Sequence, residues 1–250
     1  MKIVLLCGGD INSQIVYSFL KQNYQLLGTL EDLPVKRTKI IRRRIRNLGF
    51  FTTVSQLLFI KLITPILKLE ARKRVKEILS KVKIENTSAT ELPFISCSVN
   101  DTRSVEFINQ LSPDIIVVNG TRIISKKILT LINCPIINIH VGITPKYRGV
   151  HGGYWALNNN DIKNCGVTVH LVDSGIDTGS VLCQKSIRVK HNDNFITYPL
   201  LQTIKGLECL KEILEENNFN ETRTVTSDSN LYYHPTIIKY LKNRILKKIK

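Results

Sequence analysis

The sequence predicts an α/β fold, a doubly wound and mostly parallel Rossmann-like sheet with a basic helical insertion and a short C-terminal appendage. Three features lead there. Short apolar runs rich in β-branched residues alternate with stretches whose apolar residues recur at helical spacing. The first run ends in Gly8-Gly9 and opens straight into a helix. The strand-like runs are apolar almost throughout, as strands covered on both faces must be. A length of 250 residues holds one large domain with a full core, or one domain plus an appendage.

The elements follow in order. Met1 to Gly9 is a buried strand; its apolar run is too short for a signal peptide and ends in glycines instead of a cleavage site. The helix after it has Ile15, Val16, Phe19 and Leu20 as its inner face. Gly8, Gly9, Asn12 and Ser13 at the turn form either an anion site, where backbone N–H groups and the helix dipole point the same way, or an ordinary tight turn capped by Asn12 or Ser13. Tyr24 to Leu30 is a second strand. Leu92 to Val99 is a short third one, ahead of a helix from Asp101 to Leu111. Pro113 to Val118 is again a buried strand, followed by N-G-T-R-I-I-S. After Val189 the chain turns helical, with a stripe from Leu200 to Leu214 that packs on the sheet.

Charge divides the chain. Lys36 to Lys83 holds fifteen Lys and Arg against Glu70 and Glu77, and Lys239 to Lys250 holds six with no acid; of the net charge of +16, the remainder carries about −3. Outside its insertion at about 34–83, the catalytic unit expected at 1–217 is therefore not basic, and the charge lies in that insertion and in a tail at 218–250. Within the insertion, F-F-T-T-V-S-Q-L-L-F-I-K-L-I-T-P-I-L carries Thr, Ser, Gln, Lys61 and Pro65 and falls short of a membrane span, so a helical hairpin or amphipathic segment is expected. It is either a helical subdomain with a solvated basic face, or a site for an anionic membrane surface or a substrate phosphate. Six scattered cysteines without a C-x-x-C pair suit a reducing cytoplasm, and no metal site is expected.

The stretch Ile136 to Gln184 organises the rest. Ile136 to His140 is a buried strand in which Asn138 and His140, two residues apart, share one face. A buried amide and imidazole need partners, and a carboxylate is the usual one for an imidazole. Asp177, or its rival Asp173, lies in the glycine-punctuated loop D-S-G-I-D-T-G between two further strand-like runs, Gly166 to Val172 and Ser180 to Val189. An amide, an imidazole and a carboxylate around one point, with no Ser or Cys nucleophile, suit direct acyl transfer: Asn138 donates to an oxyanion, His140 stabilises it or handles a proton, and Asp177 orients His140. His170 is read as a satisfied structural histidine. Lys146, Tyr147 and Arg148 form an exposed loop that contacts an acceptor or caps the cleft, and His151 opens the next helix as a cap or a substrate contact.

At these residues the chain resembles the folate-dependent formyltransferases: Asn-x-His at Asn138 and His140, a Pro-x-Tyr-x-Gly loop at Pro145, Tyr147 and Gly149, and Asp177 about forty residues on. The resemblance implies 10-formyltetrahydrofolate as the donor and an amine as the acceptor. It implies that Arg122, Ile123, Ile124, Asp173 and Ile176 border the folate, and that Gly8, Gly9, Asn12 and Ser13 hold a substrate phosphate. It covers the middle of the chain well and neither Pro34 to Lys83 nor the last forty or so residues. Methionyl-tRNA formyltransferases append a barrel-like domain that this tail is too small to form, and the purine-pathway enzyme has no evident use for the insertion. By elimination the expected acceptor is a nucleotide-linked deoxyamino sugar, in a cytoplasmic enzyme of surface-polysaccharide (lipopolysaccharide O-antigen) synthesis. A methionyl-tRNA formyltransferase-like enzyme, a formyltetrahydrofolate hydrolase and a non-catalytic folate-binding relative are the alternatives. A homo-oligomer and a peripheral membrane contact through the insertion stay open as partners, with nucleic acid less expected.

Overall fold

The computed structural model describes residues 1–82, 84, 92–217, 219 and 228–250. Lys83, at the end of the expected insertion, and residues 218 and 220–227, at the start of the expected tail, lie outside the described residues.

The chain runs β1 (Lys2–Cys7), α1 (Ile11–Asn23), β2 (Gln25–Asp32), α2 (Arg37–Leu48), α3 (Phe50–Leu58), a π turn (Phe59–Ile63), α4 (Thr64–Leu79), β3 (Phe94–Cys97), α5 (Thr102–Leu111), β4 (Ile115–Asn119), α6 (Lys126–Leu129), β5 (Ile136–His140), β6 (Arg148–Gly149), α7 (Gly152–Asn158), β7 (Gly166–Leu171), β8 (Val181–Ser186), α8 (Thr197–Glu216), β9 (Leu231–Tyr232) and α9 (Ile237–Leu246). Seven strands form one sheet in the order β3-β2-β1-β4-β5-β7-β8. The first five are parallel, and β7 and β8 extend the sheet antiparallel. Chain order reverses between β1 and β4, which opens a crevice at the C-terminal ends of those strands. The close approach there needs Gly8, since a Cβ on it would lie 2.4 Å from the Gly120 carbonyl oxygen.

Alternation along β5 separates two cores. Ile137 and Ile139 join α1 and α8 on one face, with Leu207, Leu210 and Ile213 from the expected stripe. Ile136 packs on the opposite face with residues of α5 and α6. Asn138 and His140 share that second face, at its open edge.

The insertion and the tail differ from the expectation of two appendages. They pack together against the edge of the sheet domain, around an aromatic cluster in which Phe59, Tyr154, Phe195 and Tyr240 meet with ring centroids 4.9 to 6.3 Å apart. Arg74 in α4 donates to the wholly buried Asp193 at 2.7 Å, and Asn194 Nδ2 donates to the Leu67 carbonyl at 3.0 Å. Gln56 Nε2 donates to the His234 carbonyl at 2.7 Å, and β9 pairs with β6. The insertion is not a hairpin of two equal arms. It breaks once, at Gly49 (φ 83), and then runs helically to Leu79. Pro65 does not stop it because the wider π turn carries the strain: Thr64 N–H reaches back to the Phe59 carbonyl, and Pro65 at the start of α4 has no N–H to satisfy. By length and composition, Phe50–Leu79 is apolar enough to cross a bilayer, contrary to the reading from its Thr, Ser, Gln and Lys; 22% of its most apolar window is buried against the domain.

Candidate active site

β5 pairs antiparallel with β7, which sets Asn138 opposite His170 and His140 opposite Thr168. Two imidazoles and an amide therefore stand on one face at the sheet's open end. The loop after β7 folds back over them and brings Asp177 Oδ1 to 3.4 Å from His140 Nδ1 and 3.8 Å from His170 Nε2. Asp177 holds a left-handed backbone conformation (φ 51), which Asp tolerates better than most residues, and its other oxygen accepts from Gly149 N–H at 2.9 Å. Asp173 turns away from the imidazoles: it accepts from Thr178 Oγ1 at 2.8 Å and Gly175 N–H at 3.0 Å, and so shapes the loop that aims Asp177. Of the two candidates, Asp177 is the one beside His140.

Hydrogen-bond geometry fixes which nitrogens carry protons. His170 Nδ1 is 2.7 Å from its neighbour's carbonyl at Leu171 and donates to it, leaving Nε2 to accept from Asn138 Nδ2 at 3.2 Å. That bond orients the amide. His140 Nε2 donates to the Tyr147 carbonyl at 2.9 Å, so its Nδ1 is the nitrogen that faces the carboxylate. Gly142 permits this tight turn, since a Cβ on it would sit 2.6 Å from His140 Nε2 and 2.4 Å from the Tyr147 oxygen. Burial pushes the His140 pKa down, against the Asp177 carboxylate and the Tyr147 carbonyl, which favour the imidazolium. Burial likewise raises Asp177, but His140, His170 and the Gly149 N–H outweigh it and hold the carboxyl at about 2. A carboxylate thus stays ionised beside an imidazole whose two nitrogens both face acceptors.

The trio opens into a cavity of about 1080 Å³ that runs along the crevice. On one wall Arg122, Ile123, Ile124, Asp173 and Ile176 all line it. Arg122 is tied down by Asp32, to which its N–H and Nε donate at 2.9 Å, and by the Leu33 carbonyl. Ile123 is half-exposed to the cavity, whereas Ile124 is mostly core.

Several expected positions differ. The turn after β1 is not an open anion site: Asp10 caps α1, accepting from Ser13 N–H and Ser13 Oγ at 2.9 Å and Asn12 Nδ2 at 3.1 Å. The Glu31 carboxylate crowds Gly9, and Gly8 N–H already donates to the Asn119 carbonyl at 3.1 Å. Two carboxylates at the helix N-terminus repel a phosphate, so Gly8, Gly9, Asn12 and Ser13 act as a tight turn, with Asp10 in the capping role expected of Asn12 or Ser13. Lys146 and Tyr147 do not form an exposed loop either. Tyr147 is buried in the aromatic cluster, its hydroxyl donates to Asp161 at 2.8 Å, and Lys146 pairs with the same carboxylate at 2.5 Å. Neither lines the cavity, nor does Arg148, which donates to the Ile176 carbonyl at 3.1 Å and so braces the Asp177 loop. His151 does line it, but its side chain caps no helix; Nε2 meets His234 Nδ1 at 3.0 Å.

Three parts of the site were not named among the expected site residues, although a substrate phosphate was one alternative for the basic insertion. His170, read as structural, orients Asn138. His234, from the tail, completes the wall with His151. The third is α2. Its residues Lys39, Arg43 and Asn47 form one row at a spacing of four, Ile40, Arg44 and Leu48 the next, and both rows line the cavity. Burial pushes Arg44 below the usual guanidinium range, and among the described residues no carboxylate answers it. Its charge in turn helps burial to lower both His151 and His234, the latter to about 4. The signal for this wall is present in the chain as Arg42-Arg43-Arg44, of which Arg43 and Arg44 line the cavity. All six cysteines are free thiols, and among the described residues no group of His, Cys, Asp and Glu could hold a metal ion.

The chain is similar in sequence and in fold to known formyltransferases. Methionyl-tRNA formyltransferase of Caldanaerobacter subterraneus subsp. tengcongensis is 35% identical over 118 residues, 47% of this chain but 38% of that protein. That of Clostridioides difficile is 29% identical over 249 residues, 97% of this chain and 68% of the relative. Among solved structures, a sugar N-formyltransferase from Shewanella sp. superposes with a TM-score of 0.54 at 16% identity, covering 93% of this chain and 76% of the other, and phosphoribosylglycinamide formyltransferase from Streptococcus pneumoniae with 0.55 at 18%, covering 86% and 98%. At those identities the superpositions establish the fold. The family profile described as formyl transferase matches residues 65–200, more than half of the chain, and its span contains Asn138, His140 and Asp177. With the strand, the loop and the trio that this span folds into, the chain belongs to the formyl transferase family.

Proposed function

We propose that this protein transfers the formyl group of 10-formyltetrahydrofolate to the amine of a nucleotide-linked deoxyamino sugar. The observation that supports the reaction is the 3.4 Å approach of Asp177 to His140 beside Asn138 at the mouth of one deep cavity. The wall of half-buried Ile123 and Ile176 next to backbone polar groups fits a flat heterocycle with a polar edge, and a solved relative of this fold, HypX from Aquifex aeolicus at 16% identity, is described in complex with tetrahydrofolic acid. When bound, 10-formyltetrahydrofolate supplies a nitrogen-linked formyl group at the oxidation level of formate. Asn138, oriented by His170, keeps its second amide N–H for the formyl oxygen as that atom gains negative charge. His140, its Nδ1 turned to Asp177, handles the proton of the transfer: the attacking amine gives one up as its bond to the formyl carbon forms, and the departing nitrogen takes one up as its own bond to that carbon breaks. Asp177 stays ionised and keeps the imidazole in that role. The acceptor amine must be neutral to attack, so turnover falls as pH drops below the amine's pKa.

Lys39, Arg43 and Arg44 support the choice of acceptor. A partly buried guanidinium without a carboxylate partner among the described residues is a costly arrangement unless a ligand supplies the anion, and the diphosphate of a sugar nucleotide does so. A second reading is favoured by one observation: the relative aligned over nearly the whole chain is a methionyl-tRNA formyltransferase. Incubation with 10-formyltetrahydrofolate and a panel of aminodeoxy-sugar nucleotides, beside charged initiator tRNA, separates the two by the mass of a formyl group on one acceptor. Formate release without an acceptor would indicate hydrolysis instead, and folate binding with no turnover a non-catalytic relative.

A further inference from the structure

The layer formed by α3, the π turn, α4 and α9 shows one apolar side to solvent. Phe51, Val54, Leu58, Leu62, Ile66 and Leu69 are all exposed, with Phe51 86% and Leu69 72% accessible. Over this stretch they recur at steps of three and four, a single helical stripe. α9 repeats the pattern with Ile238 and Ile245, each 74% accessible, and Leu241 between them. Both helices turn their other sides to the same aromatic cluster, Phe59 from the π turn and Tyr240 from α9 lying 4.9 Å apart, so the two stripes look out side by side. Exposed Lys61, Lys68, Arg72, Lys242 and Lys248 flank them.

We infer that this face is a membrane-docking surface that lies in the interface of an anionic bilayer. The arrangement, two amphipathic helices with apolar stripes flanked by cations, is the one by which a helix rests at the headgroup boundary. The helix is long enough to span a bilayer, but its opposite side is committed to the domain through Gln56, Arg74 and the Leu67 carbonyl, so it lies along the membrane and does not cross it. A second copy is a poorer occupant. An isologous dimer through this face would bring cation against cation, since Glu70 is already paired with Arg244 at 2.7 Å and Glu77 with Arg74 at 2.7 Å. Anionic lipid takes both the apolar stripe and its flanking charge. Docking is independent of the acceptor proposed above.

The test uses the full chain and vesicles of phosphatidylglycerol mixed with phosphatidylcholine, against phosphatidylcholine alone. Cosedimentation is expected with the anionic vesicles and to weaken with added salt. The variant Phe51→Glu, Leu69→Glu, Ile238→Glu, Ile245→Glu changes only exposed side chains and is expected to lower vesicle affinity about 100-fold or more while its melting temperature and soluble formyl-transfer rate hold. Phe51→Trp reports insertion directly: a blue-shifted emission from the introduced indole, quenched by brominated lipid, supports the inference. No association with anionic vesicles at low salt, or association in which that indole emission stays water-like, overturns it. So does a concentration-dependent dimer in sedimentation that the four glutamates abolish while vesicle binding persists.

Discussion

The sheet domain and the cationic helical layer treat their surfaces in opposite ways. In β1 every residue from Ile3 to Cys7 is buried, and β4 is buried along its whole length. In α2 no residue is buried, and in α9 only Tyr240 and Asn243 are. The sheet is held by what it removes from water, whereas the layer is held at a few points: an aromatic cluster, one buried ion pair and a handful of side-chain to backbone hydrogen bonds. The lesson is that the layer is free to specialise its outward faces, α2 toward the cavity and α3 to α9 away from it, because few of its residues are needed to keep it in place.

Substitutions in the two regions therefore fail differently. The largest effect is expected at the trio: His140→Ala or Asn138→Ala should lower kcat by about 10²- to 10⁴-fold with little change in folate affinity or melting temperature, measured by steady-state kinetics and calorimetry. Near-normal turnover in either variant removes the role assigned to this end of β5. In the layer, Arg74→Leu leaves Asp193 buried and unpaired, and should cost about 3–5 kcal/mol of stability in urea unfolding. The double variant with Asp193→Leu should recover most of that; a near-neutral single variant would mean that this pair does not fasten the layer. Arg44→Gln lies at the seam. It should raise the acceptor's KM about 10- to 150-fold at constant kcat, since a charge-assisted contact worth about 1.5–3 kcal/mol is lost, while an effect on folate KM alone would assign α2 to the other co-substrate. The smallest effect concerns pH. His234 is held neutral, at about 4 instead of 6.5, so the folded state binds fewer protons than the unfolded chain between those values. Its share of stability is present above pH 6.5, falls as pH drops toward 4 and is then exhausted; His234→Gln should flatten the stability profile in that window alone.

Much of the sheet was legible because burial on both faces leaves an unbroken apolar signature: the expected strands at 1–9, 24–30, 92–99, 113–118, 136–140, 166–172 and 180–189 all appear within a few residues. Asn138, His140 and Asp177 were legible for a related reason, since polar groups in such a strand and a glycine-bracketed Asp demand an explanation. What could not be read was anything set by lateral pairing. That His170 faces Asn138 depends on the antiparallel register of β7 against β5, which neither segment encodes by itself. Tyr147 and Lys146 looked like loop residues, and it is Asp161, fourteen residues on, that draws the Tyr147 hydroxyl inward. The tail looked polar and basic because α9 buries only one narrow side, and its Tyr240 is wholly enclosed all the same.

The short pairing of β6 with β9 has a consequence for how the molecule comes to be competent. Arg148 N–H donates to the Asn230 carbonyl at 3.0 Å and Val150 N–H to that of Tyr232 at 3.1 Å, and the residue between them, Gly149, supplies the N–H that grips Asp177. A nascent polypeptide that has not yet delivered Leu231 and Tyr232 would already contain every reacting group and still lack the brace that aims one of them. Emergence of the segment that carries β9 from the ribosome, and not closure of the sheet, would be the moment at which the active centre is finished.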